Sequence, residues 1–255
     1  MIDPSSLVAL RGVSKTFANG VTALTGFDLD VRTGEFLSLL GPSGCGKSTA
    51  LRIIAGLTAP SRGSIDWRDG TSVSARDIGF VFQEPTLMPW ASVKRNVSLP
   101  LRLAGTDNRA AASRAEEALA RVGLSEFAQA YPRELSGGMK MRASIARALV
   151  TRPKLLLMDE PFAALDEITR FRLNNDLLAL WRALRMTIVF VTHSVFESVF
   201  LSSRVVVMTP RPGRVSGALD IDAPERDEHF RTSAEYAAYC RRVSETLGRA
   251  MADAG

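Results

Sequence analysis

The chain has 255 residues, which is enough for one large α/β domain or for a core with a smaller subdomain. With 46% hydrophobic and 23% charged residues it can bury a sizeable core, and this composition excludes global disorder. The net charge is only +5 and the basic residues are scattered, so no nucleic-acid partner is expected.

The cysteine content and the hydrophobic runs indicate in which cellular compartment the protein is expected. Cys45 and Cys240 cannot form a disulfide framework, which favours a reducing compartment. The first residues, MIDPSSLVAL, lack a charged segment followed by an apolar core, so we expect no secretory signal. No apolar run approaches the roughly 20 residues of a membrane-spanning helix. Any role at a membrane is therefore expected to depend on a partner.

Strand and helix patterns alternate in the first third of the chain. The Asn-Gly pair in FANGV, at residues 17–21, predicts a hairpin that leads into a strand of alternating hydrophobicity. A buried strand is predicted at residues 35–40, followed by a glycine-rich loop and a helix that ends near Gly56. Further short strands are predicted at residues 63–67 and 77–83.

The pattern changes after residue 83. Residues 84–105 indicate loop and short helix, and residues 108–124 an alanine-rich amphipathic helix, before a basic helix that follows an LSGG turn. Strands and a helix then alternate again as far as the strand and turn of VVVMTPRPGRV. A C-terminal helix carries an apolar stripe that is expected to pack against the core, formed by Tyr236, Tyr239, Val243, Leu247 and Met251.

This order of elements predicts an α/β fold in which a helical subdomain interrupts a mostly parallel sheet. We place the core at residues 5–83 and 151–224, the insertion at residues 84–150 and a helical tail at residues 225–255, all within one domain.

The strongest motif is GPSGCGKS, a complete Walker A sequence between a predicted strand and a predicted helix. Its glycines allow backbone N–H groups to face phosphate oxygens, and the helix N-terminus favours an anion. Lys47 is expected to reach the β- and γ-phosphates of ATP, and the Ser48 hydroxyl to ligate Mg²⁺. The predicted nucleotide-binding residues here are Gly41, Pro42, Ser43, Gly44, Cys45, Gly46, Lys47, Ser48 and Thr49.

Polar residues follow three other predicted strands. Asp159 and Glu160 end LLLMDE, where ligands bind in open α/β sheets; Asp159 would hold Mg²⁺ and Glu160 would deprotonate the attacking water. His193 ends TIVFV and could contact the γ-phosphate, and Gln83 ends IGFVFQ and could sense Mg²⁺ and water. Either of these last two residues alone would be interpreted as structural.

Taken in order, Walker A, the glutamine, LSGG, the acidic strand end and the histidine resemble the ATP-binding subunit of an ABC transporter, over nearly the whole chain. The resemblance implies an ATPase with a RecA-like P-loop NTPase core, an N-terminal antiparallel β element and an inserted helical subdomain. It also implies that LSGG closes over ATP held by a partner subunit, identical or homologous, so that two subunits sandwich two ATP molecules head to tail. Ser136, Gly137 and Gly138 offer a hydroxyl, N–H groups and a helix N-terminus for this role.

The chain departs from the family pattern at positions that surround the nucleotide. Met139 follows LSGG where the family most often has glutamine, and AALD at residues 163–166 lacks a serine hydroxyl but keeps Asp166 for the dimer contact. Phe17 stands where a tyrosine often stacks on adenine, and it keeps the π-face. No phosphate, metal or base group is lost, so a competent ATPase is expected.

Within the family, VFQEPTLMPWASVKRNVSLPL and TPRPGRV are similar to the importers for nitrate, sulfonates, taurine and related small solutes, with Pro89 and Trp90 the most telling pair. The subgroup includes carriers of bicarbonate and of pyrimidine-type vitamin precursors, so the solute stays open. The resemblance implies membrane permease subunits, an indirect link to a solute-binding protein, and a peripheral location on the cytoplasmic face of the inner membrane. Trp90 either packs in the helical subdomain or docks on the permease.

Two other classes of protein share part of this pattern. A soluble ABC-type ATPase of DNA repair or translation would carry every ATP motif, but it would usually need a long coiled coil or a second cassette. A P-loop kinase or GTPase would explain Walker A but neither LSGG nor His193.

Overall fold

The computed structural model describes residues 6–68, 77–223, 226–227 and 229–252. Its strands are β1 (Ser6–Thr16), β2 (Thr22–Arg32), β3 (Phe36–Leu40), β4 (Arg62–Trp67), β5 (Ile78–Val81), β6 (Leu155–Asp159), β7 (Thr187–Thr192), β8 (Arg204–Met208) and β9 (Val215–Asp220). Its helices are α1 (Lys47–Ile54), α2 (Val93–Leu103), α3 (Asn108–Arg121), α4 (Gly137–Leu149), α5 (Glu167–Leu184), α6 (Val195–Leu201) and α7 (Ala234–Ala252).

The chain forms two compact units, one of residues 1–75 and 185–255, the other of residues 76–184. The predicted domain boundaries at residues 5, 224 and 225 lie outside the described residues, and the limits of the helical subdomain stay a prediction. Within the described ranges, no helix has both the length and the apolar character needed to cross a membrane.

The first unit contains an antiparallel sheet in which β1 pairs with β2 on one side and β4 on the other. The turn at residues 17–21 confirms the predicted hairpin: Asn19 accepts the N–H of Val21 at 3.1 Å, and Gly20 adopts a left-handed φ of 80°. Glycine is favoured at such a left-handed turn position because it has no Cβ, and the asparagine side chain bonds the backbone two residues on.

The same unit contains the parallel strands β7, β3 and β8, with β9 antiparallel to β8. The strands β3, β7 and β8 are buried along their whole length, which explains why their sequences are mostly apolar rather than alternating. Sequence patterns had missed β9, whose alternate residues are exposed, and the seven-residue helix α6.

A buried ion pair ties these two sheets of the first unit together. Glu35, just before β3, accepts hydrogen bonds from Arg204 of β8 at 2.8 and 3.0 Å, and Arg204 also donates to the carbonyl of Asp30 in β2 at 2.5 Å. Both side chains are at most 11% exposed. Because a buried charge is costly without its partner, the pair fixes how β2, β3 and β8 meet.

The C-terminal helix α7 packs in the first unit through a stripe that differs from the predicted one. Tyr236 and Val243 are buried as expected, but Cys240 and Ala250 occupy the positions predicted for Tyr239 and Met251. Met251 is 53% exposed. The stripe therefore follows one row of i, i+4 and i+3 spacings, and the large side chains next to it are not part of the buried face.

The second unit contains the parallel pair β5 and β6 together with helices α2 to α5. The predicted strands and helices of this region are confirmed. Ser92, Asp107 and Ser136 are the N-caps of α2, α3 and α4, and each accepts a backbone N–H from the first turn of its helix.

Candidate nucleotide-binding site

The glycine-rich loop connects β3 to α1 in the first unit. Gly46 is the N-cap of α1 and has a left-handed φ of 105°; a Cβ there would lie 2.7 Å from the carbonyl oxygen of Ala23. Only glycine fits this position without strain or clash. The loop thereby enters α1 with the backbone amides of its first turn unoccupied by a side-chain cap, as an anion-binding helix N-terminus requires.

Lys47 is the charged residue of this loop and it is buried, with 4% of its surface exposed. Its Nζ donates to the carbonyl oxygens of Gly41 at 2.8 Å and of Pro42 at 3.0 Å. These bonds curl the side chain back over the loop, so that a positive charge lies at the point where the loop leaves β3. Ser48 and Thr49 follow in the first turn of α1 and are half-buried.

Cys45 lies inside the loop with its side chain fully buried. Its N–H donates to the carbonyl of Pro42 at 3.3 Å. Its own carbonyl oxygen lies against Gly213, in the turn between β8 and β9, so closely that a Cβ on Gly213 would overlap it. Sequence reasoning did not identify Gly213; the Pro-Gly pair in TPRPGRV was the available signal.

Gly213 is held in this position from the other side as well. Its N–H donates to the carbonyl of Ala23 at 2.9 Å, and its carbonyl accepts from Thr25 at 3.2 Å. The same Ala23 carbonyl approaches Gly46. The turn after β8 and the start of β2 therefore pack closely against the phosphate loop, and we call this surface, formed by Ala23 and Gly213, the backbone bed.

His193 emerges at the same end of the parallel strands as the phosphate loop. Leu40 and Thr192, the last residues of β3 and β7, are paired in register. Gly41 and His193, the residues that follow this pair, therefore leave the two strands as neighbours. His193 is exposed. The next turn is fixed by Thr192, whose hydroxyl donates to buried Glu197 at 2.6 Å and accepts the N–H of Ser194 at 3.0 Å.

Phe17 lies at the tip of the hairpin in the same unit. Its ring is 39% exposed, and the ammonium of Lys15 stands 5.4 Å from the ring centroid. Hydrogen bonds between Phe17 and Val21 and between Gly20 and Phe17, both 2.9 Å, close the turn. An exposed aromatic face on a closed turn is suited to stacking on a planar base.

The acidic pair and the glutamine lie together in the second unit. Val81 of β5 pairs with Met158 of β6, so Gln83 and Glu160 follow at the same level, each two residues beyond that pair. Asp159 is 9% exposed, whereas Gln83 is exposed. Glu160 has a left-handed φ of 44°, a strained conformation for a residue other than glycine and a frequent feature of functional sites.

The LSGG turn packs against the segment that follows the acidic pair. Ser136 caps α4 by accepting the N–H of Met139 at 3.3 Å, and Gly138 lies so close to Thr169 that a Cβ would come within 2.7 Å of its Cγ2. Asp166 accepts the N–H of Thr169 at 2.9 Å, and this bond lowers the pKa of its carboxyl group. The turn and the Asp166 segment are thus one packed surface.

The segment after Gln83 is held by two polar side chains that sequence reasoning missed. Arg147 of α4 donates to the carbonyls of Pro85 and Thr86 at 2.8 and 2.7 Å. Asn96 of α2 is fully buried and bonds the backbone of Met88, Ala91 and Ser92 at 2.7 to 3.1 Å. On this segment Trp90 is 76% exposed. The alternative in which Trp90 packs in the core of the helical subdomain is therefore wrong.

The predicted residues therefore form two sets. The first unit assembles the phosphate loop and His193 at the ends of adjacent strands, with Phe17 on a nearby hairpin of the same unit. The second unit assembles Gln83, Asp159 and Glu160 at one strand edge, and the LSGG turn beside Asp166. Each set therefore brings together motif residues that the sequence analysis had named.

Comparison with known proteins identifies the family. The family model described as ABC transporter matches residues 24–163, which is more than half of the chain. The aliphatic sulfonates import ATP-binding protein SsuB 1 of Pseudomonas savastanoi pv. phaseolicola is 48% identical, over 86% of this chain and 87% of its own length. The nitrate import ATP-binding protein NrtD of Synechocystis sp. is 46% identical, over 82% of this chain and 79% of its own length.

A solved structure is also similar: the dimeric, post-hydrolysis state of an ATP-binding cassette bound to ADP and phosphate. It has a TM-score of 0.74 and 34% identity, and the match covers 85% of this chain and 99% of that one. The chain belongs to the ABC transporter family. It has the P-loop NTPase fold and is an ATP-binding, ATP-hydrolysing subunit.

The close approach of Gly213 to Cys45 generates a prediction. Gly213→Ala should displace the phosphate loop, because a methyl group cannot fit against the Cys45 carbonyl. We expect ATP affinity to fall at least tenfold and stability to fall by about 1–3 kcal/mol, the usual cost of overpacking. Isothermal titration with ATP and denaturant unfolding measure both.

Gly248→Ala is the matched control, because a Cβ there would meet no atom within 4 Å. It lies in α7, where alanine is preferred over glycine, so ATP affinity should stay the same and stability should not fall. Unchanged ATP binding in Gly213→Ala would contradict the role assigned to the backbone bed.

Proposed function

We propose that this subunit powers the import of a small solute through separate membrane permease subunits. Two copies, or one copy and a homologue, would close head to tail over two ATP molecules. The observation that carries the proposal is the phosphate loop, in which Lys47 is held by the carbonyls of Gly41 and Pro42 on a helix N-terminus without a side-chain cap. Because the buried ammonium and the helix N-terminus both favour bound phosphate, we interpret the loop as a preformed anion site.

In this proposal Lys47 exchanges its two carbonyl bonds for contacts with the β- and γ-phosphates. The amides of residues 43–48 surround the phosphates, and the Phe17 ring stacks on adenine. The exchange replaces neutral acceptors by charged ones, and charge-assisted hydrogen bonds are about twice as strong. ATP binding would therefore straighten the Lys47 side chain rather than build the loop.

The metal-binding part of the proposal is supported by the donor chemistry. Ser48, Gln83 and Asp159 supply a hydroxyl, an amide oxygen and a carboxylate, all of them the hard oxygen ligands that Mg²⁺ prefers. When bound, Mg²⁺ neutralises charge on the β- and γ-phosphate oxygens. Asp159 suits this role because it ends a buried strand and keeps little exposed surface.

Glu160 is proposed to accept the proton of the attacking water, and His193 to contact the γ-phosphate. The left-handed backbone of Glu160 turns its side chain out of the regular strand alternation, and the strand β6 before it is buried. The turn that follows His193 is fixed by hydrogen bonds among Thr192, Ser194 and Glu197.

The LSGG turn is proposed to serve ATP held by the partner subunit. The Ser136 oxygen accepts the N–H of Met139, so its hydroxyl hydrogen stays available for a phosphate oxygen. Met139 contributes its amide to that cap although it lacks the amide side chain common in the family. The dimeric state of the similar cassette bound to ADP and phosphate supports this arrangement.

The solute is proposed to be a small molecule or ion of the nitrate, sulfonate or taurine class, because the relatives named for nitrate and aliphatic sulfonates are 46% and 48% identical. We place the subunit at the cytoplasmic face of the inner membrane, bound to the permease and served indirectly by a solute-binding protein. Trp90 is the proposed permease anchor, since it is 76% exposed on a segment fixed by Asn96 and Arg147.

Lys47→Ala tests the ATP-binding proposal. We expect turnover to fall about 100-fold or more, because a single preorganised charge donor to a reacting group contributes on that scale. Lys154→Ala, which removes an exposed lysine, is the control and should leave turnover unchanged. Phosphate release at saturating Mg-ATP measures both variants, and near-normal turnover of Lys47→Ala would refute the assignment of the loop.

Trp90→Ala tests the docking proposal. The isolated subunit should keep its ATP turnover, while co-purification with the permease should weaken by at least tenfold and solute uptake should be lost, as expected for a hot-spot aromatic residue. Leu103→Ala, which truncates another exposed apolar residue at the far end of α2, is the control. Uptake at the normal rate in Trp90→Ala would rule out this anchor.

A further inference from the structure

Arg147 makes more hydrogen bonds to the segment after Gln83 than to its own helix. Its guanidinium donates to the carbonyl of Pro85 at 2.8 Å, and to the carbonyl and hydroxyl of Thr86 at 2.7 and 2.8 Å. Within α4 it reaches only Ser144, at 3.5 Å. The planar fork of arginine allows this three-point contact, which a lysine ammonium cannot reproduce in the same geometry.

The contact uses a positive charge without an acidic partner. No carboxylate pairs with Arg147 in the part of the chain that the structure describes, and burial lowers the pKa of its guanidinium. Arg142, five residues earlier on the same helix, instead pairs with Asp176 at 2.6 Å. The guanidinium of Arg147 is thus stabilised by backbone carbonyls, which ties it to the exact shape of residues 85–86.

Thr86 shows that this shape is constrained. It has a left-handed φ of 48°, which is unfavourable for a β-branched residue, and both consecutive carbonyls face the same guanidinium. The next residues are held by buried Asn96 of α2. The segment of residues 85–92 is therefore held in position by side chains of α4 and α2, in addition to its own hydrogen bond between Ala91 N–H and the Met88 carbonyl.

We propose that Arg147 is a positioning residue that couples Gln83 to the LSGG turn of the same subunit. We call the contact of Arg147 with Pro85 and Thr86 the clasp. Gln83 lies two residues before Pro85, and Ser136 caps the helix that carries Arg147. The distance along α4 from Ser136 to Arg147 is roughly 16 Å, and a continuous helix moves over that length as a rigid rod. A shift of the Gln83 segment is thereby passed to the LSGG turn.

The inference rests on the proposed function, in which Gln83 serves the subunit's own ATP and LSGG serves the partner's ATP. Under that arrangement the clasp links the two ATP sites of the dimer. Occupation of one site would then favour closure of the other, and ATP hydrolysis would depend cooperatively on ATP concentration. Coupling between sites in proteins commonly changes affinity or activity by about 5- to 150-fold.

Arg147→Lys tests the clasp, because it keeps the charge and the aliphatic stem and removes the fork. We expect kcat to fall about tenfold, the KM for ATP to change by less than twofold, and the Hill coefficient to fall to 1. If Arg147 had only a structural role, the substitution would lower the midpoint of thermal unfolding and leave the Hill coefficient unchanged. Steady-state phosphate release over a range of Mg-ATP concentrations, with a melting curve for each protein, gives these readouts.

Arg142→Lys is the matched control, since it alters an arginine on the same helix that contacts Val122 and Asp176 instead of the Gln83 segment. It should keep the wild-type Hill coefficient. Thr86→Gly is the second variant. Thr86 is exposed, and glycine adopts its left-handed conformation without strain, so the variant should fold. Because it loses the hydroxyl contact with Arg147, it should also have a lower Hill coefficient.

A wild-type Hill coefficient in both Arg147→Lys and Thr86→Gly would overturn the inference, as would an equal loss in Arg142→Lys. A wild-type protein that hydrolyses ATP with a Hill coefficient of 1 would also overturn it and would leave the proposed ATPase function intact. A wild-type protein without ATP turnover would instead contradict the proposed function itself.

Discussion

The parallel pairing of strands at their carboxyl ends is the constraint on which the site depends. Leu40 beside Thr192 sets the phosphate loop next to His193, and Val81 beside Met158 sets Gln83 level with Glu160. Because the carboxyl ends of two paired parallel strands lie side by side, each register determines which polar residues become neighbours within its own unit. A slip of one residue would also turn every buried side chain of these strands to the opposite face.

In each of the two units, side chains bonded to backbone carbonyls shape the loops. Lys47 bonds to the carbonyls of Gly41 and Pro42, Arg147 to those of Pro85 and Thr86, and Asn96 to those that follow. Each of these donors is charged or fully buried, so leaving it without an acceptor would be costly. The loops are consequently held in defined conformations before any ligand arrives, which reduces the ordering cost of binding.

The sequence allowed the local features to be predicted. The hairpin at Asn19-Gly20, the buried strands, the Walker A loop and the helix after LSGG all depend on residues close together in the chain, and the structure has each of them. The helix α6 was missed because seven residues are too few for a periodic signal, and β9 because its exposed residues are small or polar.

The features that sequence could not predict depend on residues far apart in the chain. Gly213 lies beside Cys45, and Arg147 beside Thr86, only because the fold brings together segments that are about 170 and 60 positions apart. The Glu35–Arg204 pair is of the same kind. Burial of Cys240 in place of Tyr239 also follows from packing, since both positions are compatible with an amphipathic helix.

The central claim, that LSGG closes over ATP bound by a partner subunit, is tested most directly by the size of Glu160→Gln with Mg-ATP. This variant keeps the shape of the proposed base but cannot accept a proton, so ATP should stay bound between two subunits. We expect a dimer by light scattering, and a monomer when Ser136→Asp is added, because aspartate keeps the helix cap but repels phosphate. Ser136→Asn, a neutral cap, should keep the dimer. A Glu160→Gln protein that stays monomeric with saturating ATP, or a dimer that tolerates Ser136→Asp, would contradict the account.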